Sequence, residues 1–158
     1  ALAVGVAVGG RGLQDDRGVD GVRTKGAIGR LSIEVLHPGA TTATAWDGEA
    51  LRPGDIVQWV VSLGAPRWVT IVGRDGAGTV GVYYPEGAMA ARVEAGESVA
   101  LDRSLTLDAV PGDEALTVFF CERERPVADA IAAVARDHEG ASLPDCEVQR
   151  VLLHKVAP

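Results

Sequence analysis

The chain predicts a mainly β fold, an antiparallel β-sandwich of about eight to ten strands with one helix (126–138) near the C-terminus. Three observations carry that prediction. Short runs alternate apolar and polar residues at the two-residue period of half-buried strands. These runs are rich in Val and are separated by Gly (20) and Pro (8), the residues of turns. Only one stretch shows the longer period of a helix. At 158 residues the chain suits a single core, and with aromatics at 4% that core must rest on Val, Leu, Ile and Ala.

The first ten residues, ALAVGVAVGG, are apolar but shorter than the roughly 20 residues that span a bilayer. They read either as the end of a membrane helix or signal segment, or as an edge strand or loose terminus. Gly10 to Gly29 is rich in Gly, Arg and Asp and reads as a stalk or linker. The expected organisation is therefore 1–29 as apolar start plus linker and 30–158 as one sandwich domain.

Within that domain, Leu31-Ser-Ile-Glu-Val-Leu-His37 alternates cleanly, and Thr41 to Trp46 follows as a Thr-rich strand. Two turn signals come next, Asp47-Gly48 and Pro53-Gly54. The clearest strands are Asp55 to Leu63, with Val57, Trp59, Val61 and Leu63 on one face, and Arg67 to Val72, with Trp68, Thr70 and Val72 on one face. Thr79 to Tyr84 runs into Pro85, which cannot donate to a ladder. Ala91 to Val93, Ser98 to Leu101 and Leu105 to Leu107 are short candidates. A second Pro-Gly-Asp turn precedes Ala115 to Cys121, and Glu147 to Val156 closes the chain. The helix, PVADAIAAVARDH, places Val127, Ile131, Val134 and Ala135 near one face, with Pro126 and Asp129 early and Arg136, His138 and Gly140 late.

A net charge of −7 and a pI near 4.9 argue against nucleic acid, because the few basic residues are dispersed rather than clustered on a phosphate-binding face. The one dense cluster, Glu122-Arg123-Glu124-Arg125, alternates in sign and reads as a solvated stretch. The chain has no Asn, and Arg greatly outnumbers Lys, as in GC-rich bacterial coding.

Gly76-Ala-Gly78-Thr-Val-Gly81 matches GxGxxG, the dinucleotide fingerprint. That motif needs a helix to start at its glycines so that the helix N-terminus meets the pyrophosphate. Here Thr-Val-Gly-Val-Tyr-Tyr-Pro follows, so the stretch predicts a β-hairpin turn and no nucleotide. Cys121 and Cys146 are too few for a zinc site. They read as a disulfide, which would imply an oxidising compartment, with two buried thiols as the alternative. His37, His138 and His154 show no metalloprotease spacing, Ser142 lacks the nucleophile-elbow context, and Asp75 and Asp102 lack a calcium loop. No catalytic residue, cofactor or metal ligand is assigned. Trp46, Trp68, Tyr83 and Tyr84 form the candidate binding surface, with one tyrosine expected to point inward and the other outward.

From Leu51 to Cys121 the sequence LRPGDIVQWVVSLGAPRWVTIVGRDGAGTVGVYYPEG…VEAGESVAL…LTLDAVPGDEALTVFFC resembles the bacterial domain-of-unknown-function family numbered 4384. The shared pattern is a Gly-Asp strand start, a short turn, an aromatic-led strand, a Gly turn and a strand ending in Pro. A short strand, then a Pro-Gly-Asp-Glu turn and a core strand complete it, over about half the chain. The helix at 126–138 and the Cys pair depart from the pattern. Similar domains occur in the outer parts of anti-sigma-factor-like membrane proteins, and beside caspase-like peptidases or kinases.

The resemblance implies a non-catalytic sensory or interaction domain; the apolar start, the Gly-rich linker and the acidic composition add the expectation that it is extracytoplasmic and membrane-tethered through an N-terminal span. Its ligand would be a protein or a small molecule. A cytoplasmic accessory domain of a multidomain signalling protein is the alternative, and a small hydrolase stands third.

Overall fold

In the computed structural model, which describes residues 27–158, the alternating runs become β1 (Gly29–Leu36), β2 (Thr44–Ala45), β3 (Ile56–Leu63), β4 (Arg67–Arg74) and β5 (Val80–Tyr84). They continue as β6 (Ala91–Val93), β7 (Gly96–Thr106), β8 (Gly112–Cys121), helix α1 (Val127–Arg136) and β9 (Cys146–Lys155). The apolar start and most of the linker lie outside the described residues. One sheet runs β2-β1-β3-β7; the other runs β5-β4-β8-β9, with β6 pairing β4 beside β5. All strand pairings within the two sheets are antiparallel. The described residues thus form the mainly β, two-sheet arrangement that the sequence predicts, with nine strands and one helix.

The sheets meet through the faces that the period of two marks. Leu31, Ile33 and Val35 of β1 join Val57, Trp59, Val61 and Leu63 of β3, all nearly inaccessible. Opposite them lie Val69 and Ile71 of β4, Leu116, Val118 and Phe120 of β8, and Leu153 of β9. Each such side chain contributes about 1.5–3 kcal/mol on burial. The other face of the second sheet is also covered: Val72, Phe119 and Cys121 pack under α1 against Ala130, Ala133 and Val134. Burial on both faces explains why RWVTIV and LTVFFC read as near-continuous apolar runs.

The helix departs from expectation in its buried face. Val127 and Val134 are buried as the spacing requires, but Ala130 and Ala133 complete the face while Ile131 is only half-buried and Ala135 is exposed. Small residues let the helix approach the sheet closely. Two other boundaries differ. Ser98 to Leu101 and Leu105 to Thr106 belong to one strand, β7, with Leu107 just beyond its end; its register against β3 shifts at Gln58/Val60 and again at Val61/Leu63. Such bulges break the period that would have shown a single strand. The Thr-rich run shrinks to two residues, because β2 pairs only Glu34 and Val35 of β1.

The GxGxxG stretch is a hairpin. Arg74 pairs with Val80, and Asp75 Oδ1 accepts from the backbone N–H of Ala77 and of Thr79, both at 2.9 Å. Gly78 sits at φ +89°, a conformation that favours glycine. The first Pro-Gly-Asp corner also forms, with the Asp55 N–H donating to Arg52 C=O at 3.1 Å.

Candidate functional site

The last strand of the second sheet carries the most distinctive surface. β9 pairs with β8 along its whole length, Gly112↔Lys155 to Cys121↔Cys146. At its far end Leu51 bridges to its other side: the Leu51 N–H donates to His154 C=O at 2.8 Å, and the Val156 N–H donates to Leu51 C=O at 2.9 Å. Backbone direction alternates along a strand, so the even-numbered residues of β9 turn their N–H and C=O away from β8. Among the described residues no backbone group meets Val148, Arg150 or Leu152 on that side. Among the described residues, β9 is thus an edge strand over this stretch.

Across from it lies β1, whose own edge is closed by side chains reaching over from β9. Glu147 accepts from the Ile28 N–H at 2.9 and 3.0 Å and from the Gly29 N–H at 3.2 Å. Gln149 accepts from the Leu31 N–H at 2.6 Å and donates to Leu31 C=O at 3.2 Å, so its amide imitates a neighbouring strand. A little further along, the Trp46 N–H donates to Ile33 C=O at 2.9 Å. These contacts suture the two sheets along one side of the sandwich. Gly29 is required there because a Cβ would stand 2.6 Å from Cγ of Phe120.

Beside the suture runs an open groove of about 840 Å³, bordered by Arg30, Ile33, Trp46, His138, Arg150 and Leu152. Its composition is mixed: apolar floor, two arginines, one histidine, and Asp47 and Glu139 at the rim. Arg150 is anchored rather than free, donating to Ala141 C=O at 2.7 Å and to His138 C=O at 3.4 Å. Leu152 is 57% exposed, unusual for a large apolar residue on a central part of a strand.

An ionic cluster with a buried lysine and glutamate and an exposed aspartate lies at the C-terminal end of β9. Lys155 Nζ, 5% exposed, contacts Glu114 Oε1 at 2.6 Å and Asp108 Oδ1 at 2.8 Å. The Tyr83 hydroxyl donates to Glu114 Oε2 at 2.5 Å. Burial draws the Lys155 ammonium pKa down, but the hydrogen bonds and charges of the two carboxylates outweigh it and leave the value raised. The hydrogen bond from Lys155 lowers Asp108. Tyr83 is raised above the ordinary phenol range by burial first and then by Glu114. Every charge in this cluster is paired, which marks it as a structural pin.

The sequence-predicted surface is dispersed. Trp46 lines the groove, its indole N–H donating to Glu49 C=O at 2.9 Å. Trp68 instead packs into the small core beneath α1. Neither tyrosine points outward: Tyr84 is 6% exposed, and Tyr83 stacks on Trp59 with ring centroids 6.1 Å apart. The register shift between Ile71 and Val72 puts both rings in the main core by interrupting the alternation.

Cys121 and Cys146 form a disulfide between β8 and β9, S–S 2.01 Å. His37 faces Asp55 at 2.8 Å and His154 faces Asp113 at 2.5 Å, and neither borders the groove. Among the described residues no group of three or more His, Cys, Asp or Glu could hold a metal, and no helix is long and apolar enough to cross a membrane.

Sequence reasoning missed Glu147 and Gln149. Their signal was present, since Glu147 and Gln149 share the inward parity of Val151 and Leu153, and polar residues on a core face need partners. Comparison with known proteins finds no matching family model, no matching curated protein and no matching solved structure.

Proposed function

We propose that this chain is a non-catalytic interaction domain that works outside the cytoplasm and accepts an extended segment of a partner protein as an added strand along β9. The observation that carries this reading is that, among the described residues, no backbone group pairs with Val148, Arg150 or Leu152 on the side away from β8, and that Arg150 and Leu152 border a groove of about 840 Å³. Strand addition draws affinity from main-chain hydrogen bonds and specificity from alternate side chains. The groove supplies both an unsatisfied backbone and an apolar floor. The disulfide supports an oxidising compartment, where such bonds persist. The resemblance to the 4384 family points to the same class of function.

A display library of random ten-residue peptides, panned on the protein, tests the reading. Selected peptides should slow amide exchange at Val148, Arg150 and Leu152. Leu152→Pro removes an N–H that faces the groove while sparing the ladder to β8, a position where an edge proline is tolerated. It should abolish peptide binding without unfolding the domain. Peptides that bind equally well to the proline variant would refute strand addition.

A further inference from the structure

We infer that the partner segment taken up along β9 carries an Asp or Glu directly opposite Arg150, preceded by two apolar residues that lie opposite Leu152 and Val151. The inference deepens the strand-addition reading of β9 above and rests on it.

Arg150 is fixed in place but only partly used. Its guanidinium donates to His138 C=O at 3.4 Å and to Ala141 C=O at 2.7 Å, so two of the five N–H donors of the group are engaged and three are left. Among the described residues no carboxylate lies within ion-pair distance of it. The acidic side chains at the rim of the groove turn to other partners. Asp47 accepts from the Glu49 N–H at 3.2 Å, and Glu139 lies 3.9 Å from the His138 ring. Arg30, on the β1 bank, adds a second positive charge, again with no carboxylate within ion-pair distance among the described residues. A carboxylate of the partner matches this charge. An arginine already anchored by two carbonyls loses little freedom in binding it, and its planar fork suits a carboxylate.

Strand geometry sets the register. The even-numbered residues of β9 offer their N–H and C=O to the incoming strand, so a residue directly opposite Arg150 has its side chain on the same face as the guanidinium. Every pairing already present in this sheet is antiparallel. In that direction the residue opposite Leu152 comes two positions before the acid, where an apolar side chain covers the exposed leucine. The residue between them points to the other face, where Val151, Ile33 and Trp46 border the groove. Read from N- to C-terminus, the recognised triplet is apolar, apolar, acidic. The net charge of −7 disfavours acidic segments in general, so an acid selected at this one position reports the local arginine.

Panning the library of random ten-residue peptides on the full chain, and on its variants Arg150→Gln and Arg150→Glu, tests the inference. Peptides selected on the parent should share the triplet and slow amide exchange at Val148, Arg150 and Leu152. Replacing the acid of a selected peptide by Gln should weaken binding to the parent about fivefold, because a charge-assisted hydrogen bond is about twice as strong as a neutral one. That measurement needs no variant of the domain. Arg150→Gln should erase the preference for an acid while the apolar pair persists. Arg150→Glu should turn the preference to Lys or Arg, a change that a misfolded variant would not produce. Selected peptides that protect the edge amides but show no preference for an acid overturn the inference and leave strand addition standing. An acid preference that persists unchanged in both variants does the same. Acid-bearing peptides that bind without protecting the edge amides remove the inference and strand addition together, as does a library from which no peptide is enriched.

Discussion

Replacing Gln149 by methionine tests the suture between the sheets most directly. The side chains are similar in length, so the change removes two hydrogen bonds with little loss of volume. In the parent, the Gln149 amide satisfies both the N–H and the C=O of Leu31, at 2.6 and 3.2 Å, at a position where Leu31 is 3% exposed and Gln149 8%. Methionine leaves both backbone groups buried and unpaired, at about 1–3 kcal/mol each. Its apolar body returns about 1–2 kcal/mol of burial. The net loss is about 2–3 kcal/mol. With a urea slope of about 2 kcal/mol/M for a domain of this size, the midpoint should fall by about 1–1.5 M.

Urea unfolding followed by tryptophan fluorescence reads this out, since Trp59 lies in the main core. Gln149→Ala provides the discriminating control. It opens a path for water from the groove to Leu31, so it should cost less than methionine despite its smaller volume. A methionine variant as stable as the parent, or an alanine variant less stable than methionine, would show that packing rather than hydrogen bonding holds the seam.

Three further outcomes are expected. Reducing the Cys121–Cys146 bond, which closes a separation of 25 residues, should lower stability by about 3–4 kcal/mol on the chain-entropy model; a loss below about 1 kcal/mol in matched melts with and without reductant would contradict it. Gly29→Ala drives a Cβ to 2.6 Å from the ring of the buried Phe120 and should cost about 1–3 kcal/mol, with partial recovery in Gly29→Ala/Phe120→Leu. Asp108 is held below its usual value of 3.8 by Lys155. A depressed carboxylate contributes stability above its unfolded value and loses it as pH falls through the folded one. Asp108→Asn should therefore melt below the parent at neutral pH, with the gap closing in acid; because Asp108 is 67% exposed, the gap should be small and should shrink with salt. A gap that widens on acidification would reverse the sign of the argument.

The candidate site was legible only in part. Trp46 was marked as a surface aromatic and does border the groove. Tyr83 and Tyr84 were read by strict alternation, which the bulge opposite Ile71 and Val72 interrupts, and both belong to the main core. Trp68 lies on the face of β4 that the sequence assigns it, but α1 covers that face, and which helix covers which strand depends on contacts far apart in the chain. The edge position of β9 among the described strands is equally hidden, because an edge strand and a central strand share the same period. What distinguishes them is the presence or absence of a neighbour, which is a property of topology.

What the sequence determined by itself was local. Period-two apolar runs set which residues face the core, Gly78 and the Pro-Gly-Asp corners set the turns, and helical spacing with Pro126 set where α1 begins. Those features act over a few residues, through backbone sterics and the alternation of side chains. The tertiary structure alone decided that β1 and β9 lie side by side though more than a hundred residues separate them. It also decided that Glu147 and Gln149 substitute for a neighbouring strand, and that Val148, Arg150 and Leu152 have no backbone partner beyond β8 among the described residues. The physical reason is that a backbone hydrogen bond is satisfied by whatever lies within about 3 Å. Over such a separation, that neighbour is chosen by the packing of the two sheets.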